Sequence, residues 1–144
     1  MKRALRMLLL ALIVLFIIIQ FFQPERSNLP VRAELKAPPA VMAVFRRACY
    51  DCHSDETTWP WYSYVNPMGW FVAGHVEEGR AHLNFSQWGL LNAQKVYHAK
   101  QEILEQVEDE EMPLGSYLLL HSAASLNAED RAAIERWAND DSTQ

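Results

Sequence analysis

Cys49-Tyr50-Asp51-Cys52-His53 is the stretch on which the reading of this 144-residue chain turns. The spacing C-x-x-C-H lets two thiols add to the two vinyl groups of one haem while the adjacent histidine ligates its iron. All three bonds go to one flat, rigid macrocycle. Two intervening residues set both sulfurs along one edge and bring the histidine in from one face. These are the only two cysteines in the chain, so a disulfide framework is excluded and no thiols remain for a second such motif. The expected cofactor is therefore one covalently attached haem c. Cys49 and Cys52 are the expected thioether sites, and His53 the proximal iron ligand.

Two other chemistries use a C-x-x-C pair. A thioredoxin-type redox disulfide sits in a strand-helix-strand context, and no β-branched strand run precedes Cys49. Structural zinc takes four Cys/His ligands at set spacings. The remaining histidines, His75, His82, His98 and His121, supply neither a second C-x-x-C nor an H-x3-5-H pair. Haem is the favoured reading, with thiol redox and metal binding as the alternatives.

Upstream of the motif, Val41, Val44, Phe45 and Ala48 follow the i, i+3, i+4, i+7 pattern of one buried helix face. Pro38-Pro39 opens that helix, and its end delivers Cys49. Residues 23–37, with Pro24, Ser27, Asn28 and Pro30, read as an extended linker. Before it, Met7 to Phe22 is apolar apart from Gln20 and follows Lys2, Arg3 and Arg6. Residues 1–22 are thus expected to form a single transmembrane helix in the inner membrane, with all that follows on the periplasmic side. The bulky residues from Gln20 to Glu25 lack a small-residue cleavage arrangement, which favours an uncleaved anchor over a removed signal peptide.

Downstream lies an aromatic stretch, Trp59-Pro60-Trp61-Tyr62-Ser63-Tyr64, followed by a helix expected from Met68 to about Glu78 with Gly79 as its stop. Residues 80–91 read as an irregular loop. A helix over about 93–107 carries Val96, Lys100, Ile103, Leu104 and Val107 on one side. It should end near Glu108, because Asp109-Glu110-Glu111 oppose the helix dipole. Met112-Pro113-Leu114-Gly115 reads as a turn, and a short helical turn is expected over 116–121. A last helix runs from the N-cap Asn127 to about Asn139, with Ala133, Ile134, Trp137 and Ala138 inward. The expectation is an all-α haem domain with long loops over 38–144, preceded by the linker and the membrane helix.

The chain carries −5, but its first 22 residues hold only the cations Lys2, Arg3 and Arg6, so the remainder is −8. That acidity argues against nucleic acid and suits a redox partner with a basic docking patch. The second iron ligand decides between functions, since a Met/His pair raises the reduction potential while an open position admits ligands. Met112 ranks first, because Pro113 stiffens the turn that carries it. His82 or His75 follow, then Met68 and an open site; Met42, on the helix that leads into the motif, is read as a packing residue.

The helix into C-x-x-C-H, the late Met112-Pro113 and the final helix from Leu126-Asn127 through Ile134 and Trp137 resemble a class I cytochrome c. More narrowly, the chain is similar to a small family of bacterial haem-binding domain proteins over roughly 38–138. That resemblance rests on Cys49 to Ser54, Trp59 to Ser63, Glu78-Gly79-Arg80 with His82 to Ser86 and Trp88, and Glu111-Met112-Pro113 with Tyr117 and His121. It implies a c-type haem protein with Cys49, Cys52 and His53 in the roles given above and Met112 as distal ligand, and it names no substrate. The stretch from Trp59 to Trp88 departs from ordinary short cytochromes. It is read as a haem-pocket wall in preference to a docking surface. The expected function is a membrane-anchored monohaem cytochrome carrying single electrons, not an enzyme. The alternative is a haem-based sensor with an open or labile sixth position.

Overall fold

The computed structural model describes residues 1–140. Among the described residues seven α-helices follow one another: α1 (Lys2–Ile19), α2 (Pro39–Ala48), α3 (Tyr50–His53), α4 (Met68–His82), α5 (Ala93–Glu108), α6 (Gly115–Leu118) and α7 (Ala128–Ala138). Short 3-10 turns lie at Trp61–Tyr64, Phe85–Leu90 and Ser122–Ala124, and no strand occurs among the described residues. The all-helical expectation holds.

The transmembrane helix does not. No helix among the described residues is long and apolar enough to cross a membrane. α1 begins with Lys2, Arg3 and Arg6 and ends at Ile19, so its uncharged part runs only from Met7. At about 1.5 Å per residue that part spans roughly 20 Å, against the roughly 30 Å of a hydrocarbon core. The Gln20 side chain helps to end the helix, its amide donating to Phe16 O at 2.9 Å and Asn66 O at 3.0 Å. Phe21 and Phe22, counted into the apolar run by composition, lie beyond the helix. Single-pass anchoring in the inner membrane is therefore not supported, and the periplasmic placement that depended on it falls too. Asn66 Nδ2 donates to Ile19 O and Phe22 O, and Trp70 Nε1 to Phe22 O, which seats the end of α1 on the start of α4.

Residues 23–37 form no helix, as their prolines dictate, and lie bound along the domain. Arg32 and Ala33 N–H groups donate to Ser86 O, Leu35 N–H to Phe85 O and Gly89 N–H to Ala33 O. Leu35 is buried in the core. Val41, Val44, Phe45 and Ala48 of α2 are all buried, as the periodicity requires. Phe45 stacks on Phe85 with centroids 5.0 Å apart and meets Trp137 edge-on at 5.1 Å. This joins α2, the 85–90 turn and α7 in one core. α7 is capped by a reciprocal pair: Asp130 N–H donates to Asn127 Oδ1, and Asn127 N–H to Asp130 Oδ2. Asp130 also pairs with Arg47 at 2.7 Å, tying α7 to the end of α2.

α4 continues past Gly79 to His82, and residues 85–90 form a 3-10 turn where an irregular loop was expected. Gly79 is a contact residue, not a stop. A Cβ at that position would lie 2.7 Å from Cys52 O and 3.1 Å from Cys52 C. The missing side chain lets α4 lie directly on the C-x-x-C-H segment.

Candidate functional site

α2 hands the chain into α3, so Cys49, Cys52 and His53 emerge on a single helical turn whose position is set by the buried face of α2. α4 grips that turn from both directions. His53 Nδ1 lies 3.0 Å from Gly79 O and 3.2 Å from Leu83 O. Carbonyls only accept, so the Nδ1 proton is committed to them and Nε2 keeps its lone pair. In return, Arg80 Nε donates to Ser54 O at 2.7 Å. The same guanidinium reaches Thr57 Oγ1, Asn28 Oδ1 and Ser27 O, which locks the 23–37 segment to the exit of the motif. Beneath it, Asp55 is fully buried and accepts from Asn84 Nδ2 and Gln87 Nε2.

A cavity of about 220 Å³ opens above this turn, and Cys49, Cys52, His53 and Met112 all line it. A second cavity, of about 310 Å³, shares Cys49, His53, His82, Met112 and Pro113 with the first and extends along Ala99, Ile103 and Gln106 of α5. The four residues singled out by the sequence are thus brought to one cleft. His75 and His82 also reach it, whereas Met68 lines only a narrow neighbouring groove beside Cys52. Met42 packs against the core, as expected of a helix filler.

Met112 is delivered by the end of α5. Glu110 takes φ 59, in the left-handed region. Glu111 N–H then donates to Gln106 O, and Glu110 N–H to Val107 O, the reciprocal pattern that closes a helix C-terminus. Met112 N–H also reaches Gln106 O at 3.0 Å. Arg131 of α7 holds the Val107 carbonyl and faces Glu110.

Burial pushes the Cys49 thiol up to about 12, with Cys52 beside it adding to the rise. Burial likewise raises Cys52 to about 11, assisted by Asp51. Burial thus favours the protonated thiols at neutral pH and leaves little thiolate for disulfide exchange. Among the described residues no group of three or more His, Cys, Asp or Glu is placed to hold a metal ion. Burial also lowers the pKa of His53, which favours the neutral imidazole despite its carbonyl partners. Two thiols, a histidine with a free Nε2 and an apolar cleft fit a haem, and among the described residues no third and fourth Cys/His ligand joins them as structural zinc requires.

Phe85 completes the wall, meeting the His53 ring edge-on at 6.4 Å and stacking on Tyr50 at 5.3 Å. Trp88 is buried behind it, but Trp61 is 79% exposed. The aromatic stretch thus divides between core and surface. Sequence reasoning did not assign the Gly79 and Leu83 carbonyls or the contact between Tyr117 and Asp51 described below. The strings that carry the family resemblance contain Asp51, Gly79, Leu83 and Tyr117, but nothing in their spacing announces that these residues meet.

A family model described as a haem-binding domain matches residues 14–140. No curated protein and no solved structure matches the chain.

Proposed function

The chain belongs to the haem-binding domain family and is a haem-binding protein, and from that premise we propose that it carries single electrons as a monohaem c-type cytochrome and is not an enzyme. The observation that carries this reading is the shared cleft, whose wall holds Cys49, Cys52, His53 and Met112 together. Haem, when bound, supplies a one-electron iron couple.

The chain's own residues account for the rest. Cys49 and Cys52 would hold the macrocycle along one edge, each thiol supplying an S–H that can add across a vinyl group with no leaving group. His53 presents Nε2 in an orientation fixed by the two carbonyls on Nδ1. Met112 offers a neutral sulfur to the same cleft, a ligand that would favour the reduced state of a bound haem iron. Phe85, which lines the cleft beside His53 and is backed by Tyr50, would supply an apolar wall to the ring. Glu105, Glu108, Asp109, Glu110 and Glu111 are exposed beside Met112. They support docking of a redox protein with a basic patch. The same acidity opposes nucleic acid.

His75 and His82 reach the same cleft, which gives a second reading in which the sixth position is labile and the protein senses a ligand. The two differ in spectrum. The loaded protein should be six-coordinate and low-spin in both redox states. A high-spin ferrous spectrum, or carbon monoxide uptake without displacement of a protein ligand, refutes the electron carrier in favour of the sensor.

A further inference from the structure

The loop carrying Met112 is fastened to the haem motif by a contact that no ligand role uses. Tyr117, in α6, donates its hydroxyl to Asp51 Oδ2 at 2.7 Å. Asp51 lies between the two cysteines, and its own position is fixed. Its Oδ1 accepts Thr58 N–H at 3.0 Å, and its carbonyl accepts the Thr57 hydroxyl at 2.8 Å. The Tyr117 ring stacks on His121 with centroids 4.0 Å apart and planes 10° from parallel, which holds the phenol in place. Among the described residues this is the one hydrogen bond joining residues 112–121 to residues 49–53.

We infer that Tyr117 is a positioning residue whose bond to Asp51 fastens the Met112 loop onto the haem motif and keeps the distal side of the cleft closed. The inference rests on the reading of Met112 as distal ligand. A thioether is a neutral, weak ligand that can leave. The loop is held on one side of Met112 by the bond to Gln106 O, and on the other by Tyr117. The sulfur can move away with its loop only when one of these holds is broken. A hydrogen bond to a carboxylate is among the stronger ones, and its loss should raise the population of the open loop roughly tenfold.

The test uses the haem-loaded full chain. Tyr117→Phe keeps the ring stack and removes only the donor. Carbon monoxide uptake by the ferrous protein should become roughly tenfold faster, and the sulfur-to-iron charge-transfer band should vanish at lower denaturant. Haem retained on denaturing gels and the far-ultraviolet circular dichroism should not change. Asp51→Asn keeps an acceptor oxygen and should move uptake less than Asp51→Ala. Combining Tyr117→Phe with Asp51→Ala should add little to the larger single effect. Wild-type uptake in Tyr117→Phe overturns the inference. Should that variant hold no haem, wild-type uptake in Asp51→Ala overturns it instead. Met112→Ala separates the two claims. Survival of the band there defeats the distal assignment, while its loss there with an unaltered Tyr117→Phe defeats the fastening alone.

Discussion

Gly79→Ala is expected to destabilise the protein by about 3 kcal/mol and to leave it with little haem. The added methyl would lie 2.7 Å from Cys52 O, 3.1 Å from Cys52 C and 3.3 Å from Cys52 Cβ. Two of these atoms are backbone, so no side-chain rotation relieves the overlap; α4 or the haem motif must shift. Either shift strains the hydrogen bonds from His53 Nδ1 to Gly79 O and Leu83 O. Gly74→Ala, in the same helix, is the control. Its methyl meets nothing within 4 Å, so there the ordinary helix preference should stabilise by up to about 1 kcal/mol. Urea unfolding and haem content of the two variants provide the measurement. A haem-replete Gly79→Ala protein of wild-type stability would contradict the packing described.

With Met112 as the proposed distal ligand, Met112→Ala is expected to abolish the sulfur-to-iron charge-transfer band and to lower the reduction potential, since a thioether favours the reduced iron. The methionine stands in the cleft with His53, behind a helix end closed through Gln106, so removal leaves the rest of the loop anchored. Met68→Ala should leave the band intact, because Met68 lines only the neighbouring groove. His82→Ala should also leave it, as His82 is exposed at the rim. Loss of the band in Met68→Ala, with survival in Met112→Ala, would reassign the ligand.

What could be read ahead of the structure follows the range of the interactions. α2 and α7 carry their own signals, a one-face periodicity over Val41, Val44, Phe45 and Ala48 and an N-cap at Asn127. Both are local in sequence and both are present. The ligand candidates were legible because C-x-x-C-H is itself a local geometry and Met112-Pro113 marks a stiff turn. Gly79 misled, since glycine ends helices by its own preference, whereas here it is required by a contact with Cys52 that lies 27 residues earlier in the chain. The N-terminal run misled for a related reason. Composition counts Phe21 and Phe22, but the bonds of Gln20 and Asn66 end α1 before them. Tyr117 and Asp51 are 66 residues apart, and no period or cap announces such a pair.

Under the function proposed here, Cys49 and Cys52 hold one haem by covalent bonds, as their spacing and their place in a single cleft allow. Haem staining after denaturing electrophoresis tests it most directly, on the wild-type chain and on Cys49→Ser with Cys52→Ser. Colour should travel with the denatured wild-type chain and be absent from the double variant. A wild-type chain that binds haem when folded but runs colourless after denaturation would contradict the account.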